Sequence, residues 1–91
     1  MGFERAQIVR SLAGRDKGEL FCVLDTDGAY LLLADGKRRK TAAPKRKKAV
    51  HAASAGAFGH PVLEKLLRGD GVTDSEIRRA LAAFRAESRR I

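Results

Sequence analysis

Ile8-Val9-Arg10-Ser11-Leu12-Ala13-Gly14-Arg15-Asp16-Lys17-Gly18-Glu19-Leu20-Phe21-Cys22-Val23 is the stretch on which the reading of this chain turns. Two apolar, β-branched runs flank a charged loop with a glycine at each end. Gln7–Leu12 reads as a first strand. Leu20–Leu24 reads as a second, an unbroken apolar run short enough for a strand buried on both faces. Gly14 and Gly18 give the loop backbone angles closed to other residues and let it approach a partner's backbone closely. Arg15 and Lys17 then stand at the loop tip, where they can meet phosphate.

Short strands and tight turns continue outward from this stretch. Asp25-Thr26-Asp27-Gly28 has the composition of a turn, and Ala29–Ala34 is a further apolar run. Asp35-Gly36 between two strand-like runs predicts a two-residue type I′ hairpin, in which both central residues have positive φ. Lys37–Thr41 would be the strand after it, and a last short strand is expected near Ala49-Val50-His51. Four or five such strands in the first half of the chain predict a small, strongly bent barrel.

The composition then shifts. Ala52–Gly59 is rich in Ala, Ser and Gly and reads as a linker. Pro61–Arg68 follows as a helix with proline in its first turn, ended by Gly69-Asp70-Gly71. Thr73-Asp74-Ser75-Glu76 matches a capping box and predicts a second helix over 74–88. Leu63, Leu66 and Leu67 on one helix and Ile77, Ala80, Leu81 and Phe84 on the other form stripes that can close into a hairpin. Such a hairpin is too small to stand alone, so it must dock on the strands, on a second copy or on a partner. Arg78, Arg85 and Arg89 share another face of the second helix, which is either solvated or open to phosphate.

The charge is concentrated. Lys37–Lys48 holds eight basic residues and no acidic one, and the 19 basic and 11 acidic residues of the whole chain leave eleven of each sign outside it. The net charge of +8 therefore lies in one block on a balanced body. That is the footprint of a polyanion-binding protein. A solubilising run would sit more naturally at a terminus.

Other classes fit poorly. With 91 residues, 44% of them apolar, the chain makes one modest domain rather than a disordered segment. One Tyr, four Phe and no Trp are too few aromatics for a base-stacking platform. Cys22, the only cysteine, reads as a small buried hydrophobe. No apolar run is long enough to span a membrane. Met1–Arg5 lacks a signal-peptide core, and Ala6 leaves the myristoylation pattern incomplete, so a cytoplasmic location is expected. His51 and His60 lie apart from any metal-ligand spacing. Asp25, Asp27 and Asp35 sit where short carboxylates bond the local backbone. No Walker-type ending follows Gly18. No catalytic, metal or cofactor site and no small-molecule substrate is expected.

Ile8–Val23, with Gly14, Lys17 and Gly18 in the pattern Gly-x-x-Lys-Gly between two strands, resembles the KOW motif of ribosomal and transcription-associated proteins. Together with Tyr30–Lys40 and Pro44–Lys48, it looks like the bacterial KOW-domain RNA-binding proteins, which are similar to eukaryotic-type large-subunit ribosomal proteins. The resemblance covers about half the chain. It implies an SH3-like barrel and binding to structured RNA, ribosomal RNA or the ribosome above all. The expected architecture is mainly β with an α appendage: a barrel over residues 5–52, a linker over 53–60 and a helical hairpin over 61–91. The expected RNA contacts are Arg15, Lys17, Lys37, Arg38, Arg39, Lys40, Lys45, Arg46, Lys47 and Lys48. The competing reading is an adaptor for an acidic protein, with the helices docking or dimerising. Non-specific duplex DNA binding is a third, since no groove-reading helix is evident.

Overall fold

The computed structural model describes residues 2–89. Five antiparallel strands, β1 (Ile8–Ser11), β2 (Leu20–Asp27), β3 (Tyr30–Ala34), β4 (Lys45–Lys48) and β5 (Ala52–Gly56), form one sheet in the order β4-β3-β2-β1-β5. Two helices follow, α1 (Pro61–Leu67) and α2 (Asp74–Ser88). No helix among the described residues is long and apolar enough to cross a membrane.

A three-residue 3-10 turn, Ala49–His51, joins the two edge strands β4 and β5. In a flat five-stranded sheet those edges would lie about 19 Å apart. The four Cα steps from Lys48 to Ala52 reach at most about 14 Å. The sheet therefore bends, bringing the end of β4 near the start of β5 at this corner, where the Leu12 amide donates to the His51 carbonyl at 2.8 Å. Curling gives the sheet an inside. Val9, Phe21, Val23, Leu31, Leu33 and Ala52 fill it. The alternate residues Ile8, Leu20 and Cys22 face the opposite way and pack on Val62, Leu63, Leu66, Ile77, Ala80, Leu81 and Phe84 of the helices. β2 is thus buried on both faces through Val23, as its unbroken apolar run predicts. Cys22 is fully buried, and burial pushes its thiol pKa up to about 12.

Several boundaries differ from the sequence reading. Asp25–Asp27 is not a turn but the end of β2, and the chain reverses at Gly28-Ala29. The pairing steps from Val23↔Leu33 to Asp25↔Leu32, so Leu24 is an extra residue in the strand. This bulge turns Asp25 onto the outer face with Leu32. Without it Asp25 would follow Val23 into the inner core. Ala49–His51 is the corner rather than a strand, and Ala52–Gly56, expected as linker, is β5. Its short side chains suit a strand wedged between two packed layers: Ala52 belongs to the inner core, and Ala55 packs toward the helices.

The helices match their sequence signals except at Leu67, which is exposed, Val62 being buried beside Leu63 and Leu66 in its place. His60 caps α1, its Nδ1 accepting from the Val62 amide at 3.2 Å. The Thr73 hydroxyl accepts from the Glu76 amide at 3.1 Å while Glu76 Oε1 accepts from the Thr73 amide at 2.9 Å, completing the capping box. Lys65 donates to Glu76 at 2.8 Å and ties the two helices together. That bond first, and the Thr73 amide second, hold the Glu76 carboxyl below its ordinary pKa.

Because the helical stripes and the strands share one core, the hairpin cannot detach alone. Leu81→Ala, which empties a site 1% exposed, is expected to cost about 2–5 kcal/mol. Thermal melts followed by far-UV circular dichroism and by Tyr30 fluorescence should shift together. A helical transition at lower temperature, with the strand signal unmoved, would show an independent hairpin.

Candidate nucleic-acid interface

The basic block does not lie as the sequence suggests. Asp35 lacks positive φ, so Asp35-Gly36 is not a type I′ turn. Instead Asp35 Oδ1 accepts from the amides of Lys37, Arg38 and Arg39 at 2.9, 2.9 and 2.8 Å. The Arg39 carbonyl in turn accepts from the Asp35 and Gly36 amides. Three consecutive amides committed to one carboxylate cannot also form a ladder, so 37–41 is a closed loop, not a strand. The strand lies in the second half of the block. Lys45–Lys48, expected as a loop, is β4, paired from Leu33↔Lys45 to Tyr30↔Lys48. Four cationic side chains suit an edge strand, where charge discourages pairing with another chain.

A buried carboxylate joins this loop to the glycine loop. Asp16, between Gly14 and Gly18, is 2% exposed. Its Oδ1 accepts from Arg38 Nη2 at 3.0 Å, and its Oδ2 accepts from Arg39 Nη2 at 2.8 Å. Burial alone would raise its pKa. The hydrogen bonds and charges of Arg39, then Arg38, outweigh that cost and hold the carboxyl below its ordinary value of 3.8. A third link runs from β4: Lys47, itself buried, donates from Nζ to the Ala13 carbonyl at 2.9 Å. Arg10 closes the far side of the glycine loop on the Gly18 carbonyl at 2.6 Å. Gly14 and Gly18 have φ of +80° and +90°, as the loop reading requires.

The second helix braces the basic loop from behind. Asp74 Oδ1 accepts from the Thr41 amide at 2.7 Å, and Arg78 donates to the Gly36 carbonyl. Gly36 has φ of +78°, and a Cβ there would sit 2.3 Å from the Asp74 carbonyl oxygen. Only glycine fits both conditions.

The ten predicted contact residues therefore divide. Arg38, Arg39 and Lys47 are committed to partners within the protein, Arg38 while remaining largely exposed. Arg46 lies 3.7 Å over the Tyr30 ring and 3.6 Å from Asp27. Arg15, Lys17, Lys37, Lys40, Lys45 and Lys48 have no side-chain partner among the described residues, and five of them are exposed, Lys45 being half-buried. Three separate segments, the glycine loop, the basic loop and β4, are thus held together with six uncommitted cations. The positioning residues Asp16, Asp74 and Arg78 carry no local sequence signal, because their partners lie far along the chain. Asp35 does carry one: an Asp at the head of a short polar loop is the signature of a side chain capping its own backbone. A scan against protein-family models finds no match, and a search of curated proteins finds no relative.

Two outcomes test this framework. Gly36→Ala should destabilise the protein by roughly 2 kcal/mol or more, because left-handed strain and a backbone clash add; an unchanged melting temperature would mean that the loop does not rest on α2. The ionised Asp16 contributes stability that is complete above the ordinary carboxylate pKa and is lost as pH falls below it, through the lowered folded-state value. Asp16→Asn should cost roughly 1–2 kcal/mol at neutral pH, given the solvent around both guanidinium groups. It should also flatten the decline in melting temperature below about pH 4. An undiminished acid transition in this variant would assign it to another group.

Proposed function

We propose that this protein is a non-enzymatic RNA-binding module of the KOW type, with an SH3-like barrel that grips structured RNA, and ribosomal RNA first among candidates. The observation that carries this reading is the set of six uncommitted cations on three segments braced against one another. Flexible lysines on a solubilising run would need no buried carboxylate, no triple amide cap and no helix behind them. Rigid placement lowers the entropy lost when a charged partner is bound. The curled sheet, with its edges drawn together by a three-residue turn, supports the barrel. Phosphate contacts position the protein, and the shape and 2′-hydroxyls of folded RNA supply recognition.

The adaptor reading loses its helical docking surface. The apolar stripes it would use for docking or dimerisation are largely packed on the sheet, with Leu67 of α1 left exposed.

If the six cations each neutralise a phosphate, the logarithm of the affinity should fall with that of salt at a slope of about −4 to −5. Lys45→Glu combined with Lys48→Glu should weaken binding at least ~10-fold while preserving the fold. In a lysate the protein should sediment with the large ribosomal subunit at low salt and leave it at high salt. A salt-independent affinity overturns the RNA reading. Sedimentation only at the top of both gradients removes the ribosome from it.

A further inference from the structure

Between the basic loop and α2 lies a groove of about 400 Å³. Its charged lining is Glu19, Asp35, Lys37, Arg38, Arg78 and Arg85, with Leu81 at its apolar base. Four cations thus face two carboxylates. The Asp35 carboxylate is already taken up by three backbone amides. Arg38 is turned to Asp16 and Arg78 to the Gly36 carbonyl. The Arg78 bond, together with the Asp74 bond to the Thr41 amide, fixes the two walls relative to each other. Lys37 on one wall and Arg85 on the other are exposed and have no side-chain partner among the described residues. Arg78 and Arg85 stand seven residues apart, two turns on one face of the helix, so the helical wall runs for about 10 Å.

We propose that this groove seats the phosphate backbone of the bound RNA, with Lys37 and Arg85 as the contacting cations and α2 as one half of the grip. This rests on the RNA reading above and extends it. The C-terminal hairpin is then part of the binding surface rather than a support alone. An acidic peptide is the competing occupant. Lys37 lines the groove and is also one of the uncommitted cations of the basic loop, which favours the longer, uniformly charged chain of RNA over a short peptide.

Arg79 supplies the control. It is exposed on the same helix one residue from Arg78, carries the same charge and does not line the groove. The full chain and its Arg85→Ala, Lys37→Ala, Arg79→Ala and Lys45→Ala variants would be titrated with a fluorescently labelled RNA stem-loop over a salt series. A labelled polyglutamate peptide would be run in parallel. Arg85→Ala and Lys37→Ala should each weaken RNA binding by about five- to tenfold and make the salt slope shallower by about one. Arg79→Ala should change neither beyond about twofold, the scale of a distant surface charge. Equal effects of Arg79→Ala and Arg85→Ala would reduce the groove to general charge and overturn the proposal. So would an unchanged affinity in Arg85→Ala beside a weakened one in Lys45→Ala, an outcome that leaves the RNA reading standing. Binding of polyglutamate but not RNA by the unmodified chain overturns both.

Discussion

Asp16 lies nearly without solvent between two guanidinium groups that come from 22 and 23 residues further along the chain. The arrangement inverts the usual economy of a basic surface. A carboxylate is desolvated so that two of the eight cations in the block are tied down to it. The cost of burying one charge is offset only because each of its oxygens has its own arginine. What results is a joint. The glycine loop between β1 and β2 and the loop after β3 cannot move apart without exposing an unpaired carboxylate or two unpaired arginines. Lys47 makes the corresponding joint to β4 through the Ala13 carbonyl. The remaining cations are held in place by the few that face inward.

The helical hairpin belongs to the same construction. Its apolar stripes cover the outer face of β1 and β2, so the sheet has two cores, one inside the curl and one beneath the helices. Its polar face does a second job. Asp74 and Arg78, from the first turns of α2, hold the backbone of the basic loop at Thr41 and Gly36. A substitution in the helix core therefore reaches the basic loop by mechanical continuity, with no contact to any ligand. The hairpin is also where the tertiary structure adds contacts that no sequence pattern announces.

Legibility in the sequence followed the range of the interactions. The two helices, their caps and their apolar faces rest on contacts three or four residues apart, and they lie where periodicity and capping chemistry put them. The double burial of β2 was visible in its unbroken apolar run. In the block 37–48 the structure reverses both expectations, with a loop at 37–41 and a strand at Lys45–Lys48. Alternation and turn propensity could not reveal that Asp35 would claim three amides, or that Pro44 would introduce an edge strand of four cations. Ala52–Gly56 reads as linker because small residues signal flexibility by default. They form here an edge strand whose Ala52 enters the inner core and whose Ala55 packs toward the helices.

Local chemistry was enough to say that this chain folds as short strands followed by two capped helices, and that its net charge resides in twelve residues. Those properties depend on neighbours in sequence, on composition and on backbone stereochemistry. Which cations remain free was a matter for the folded chain alone. The division between inward and outward charge depends on a carboxylate at position 16 meeting arginines at 38 and 39, a lysine at 47 reaching a carbonyl at 13, and a helix at 74–88 closing on a loop at 36–41. Each is a contact between residues 20 or more positions apart, brought together by the curl of the sheet and the docking of the hairpin. No pattern within either segment encodes such a meeting.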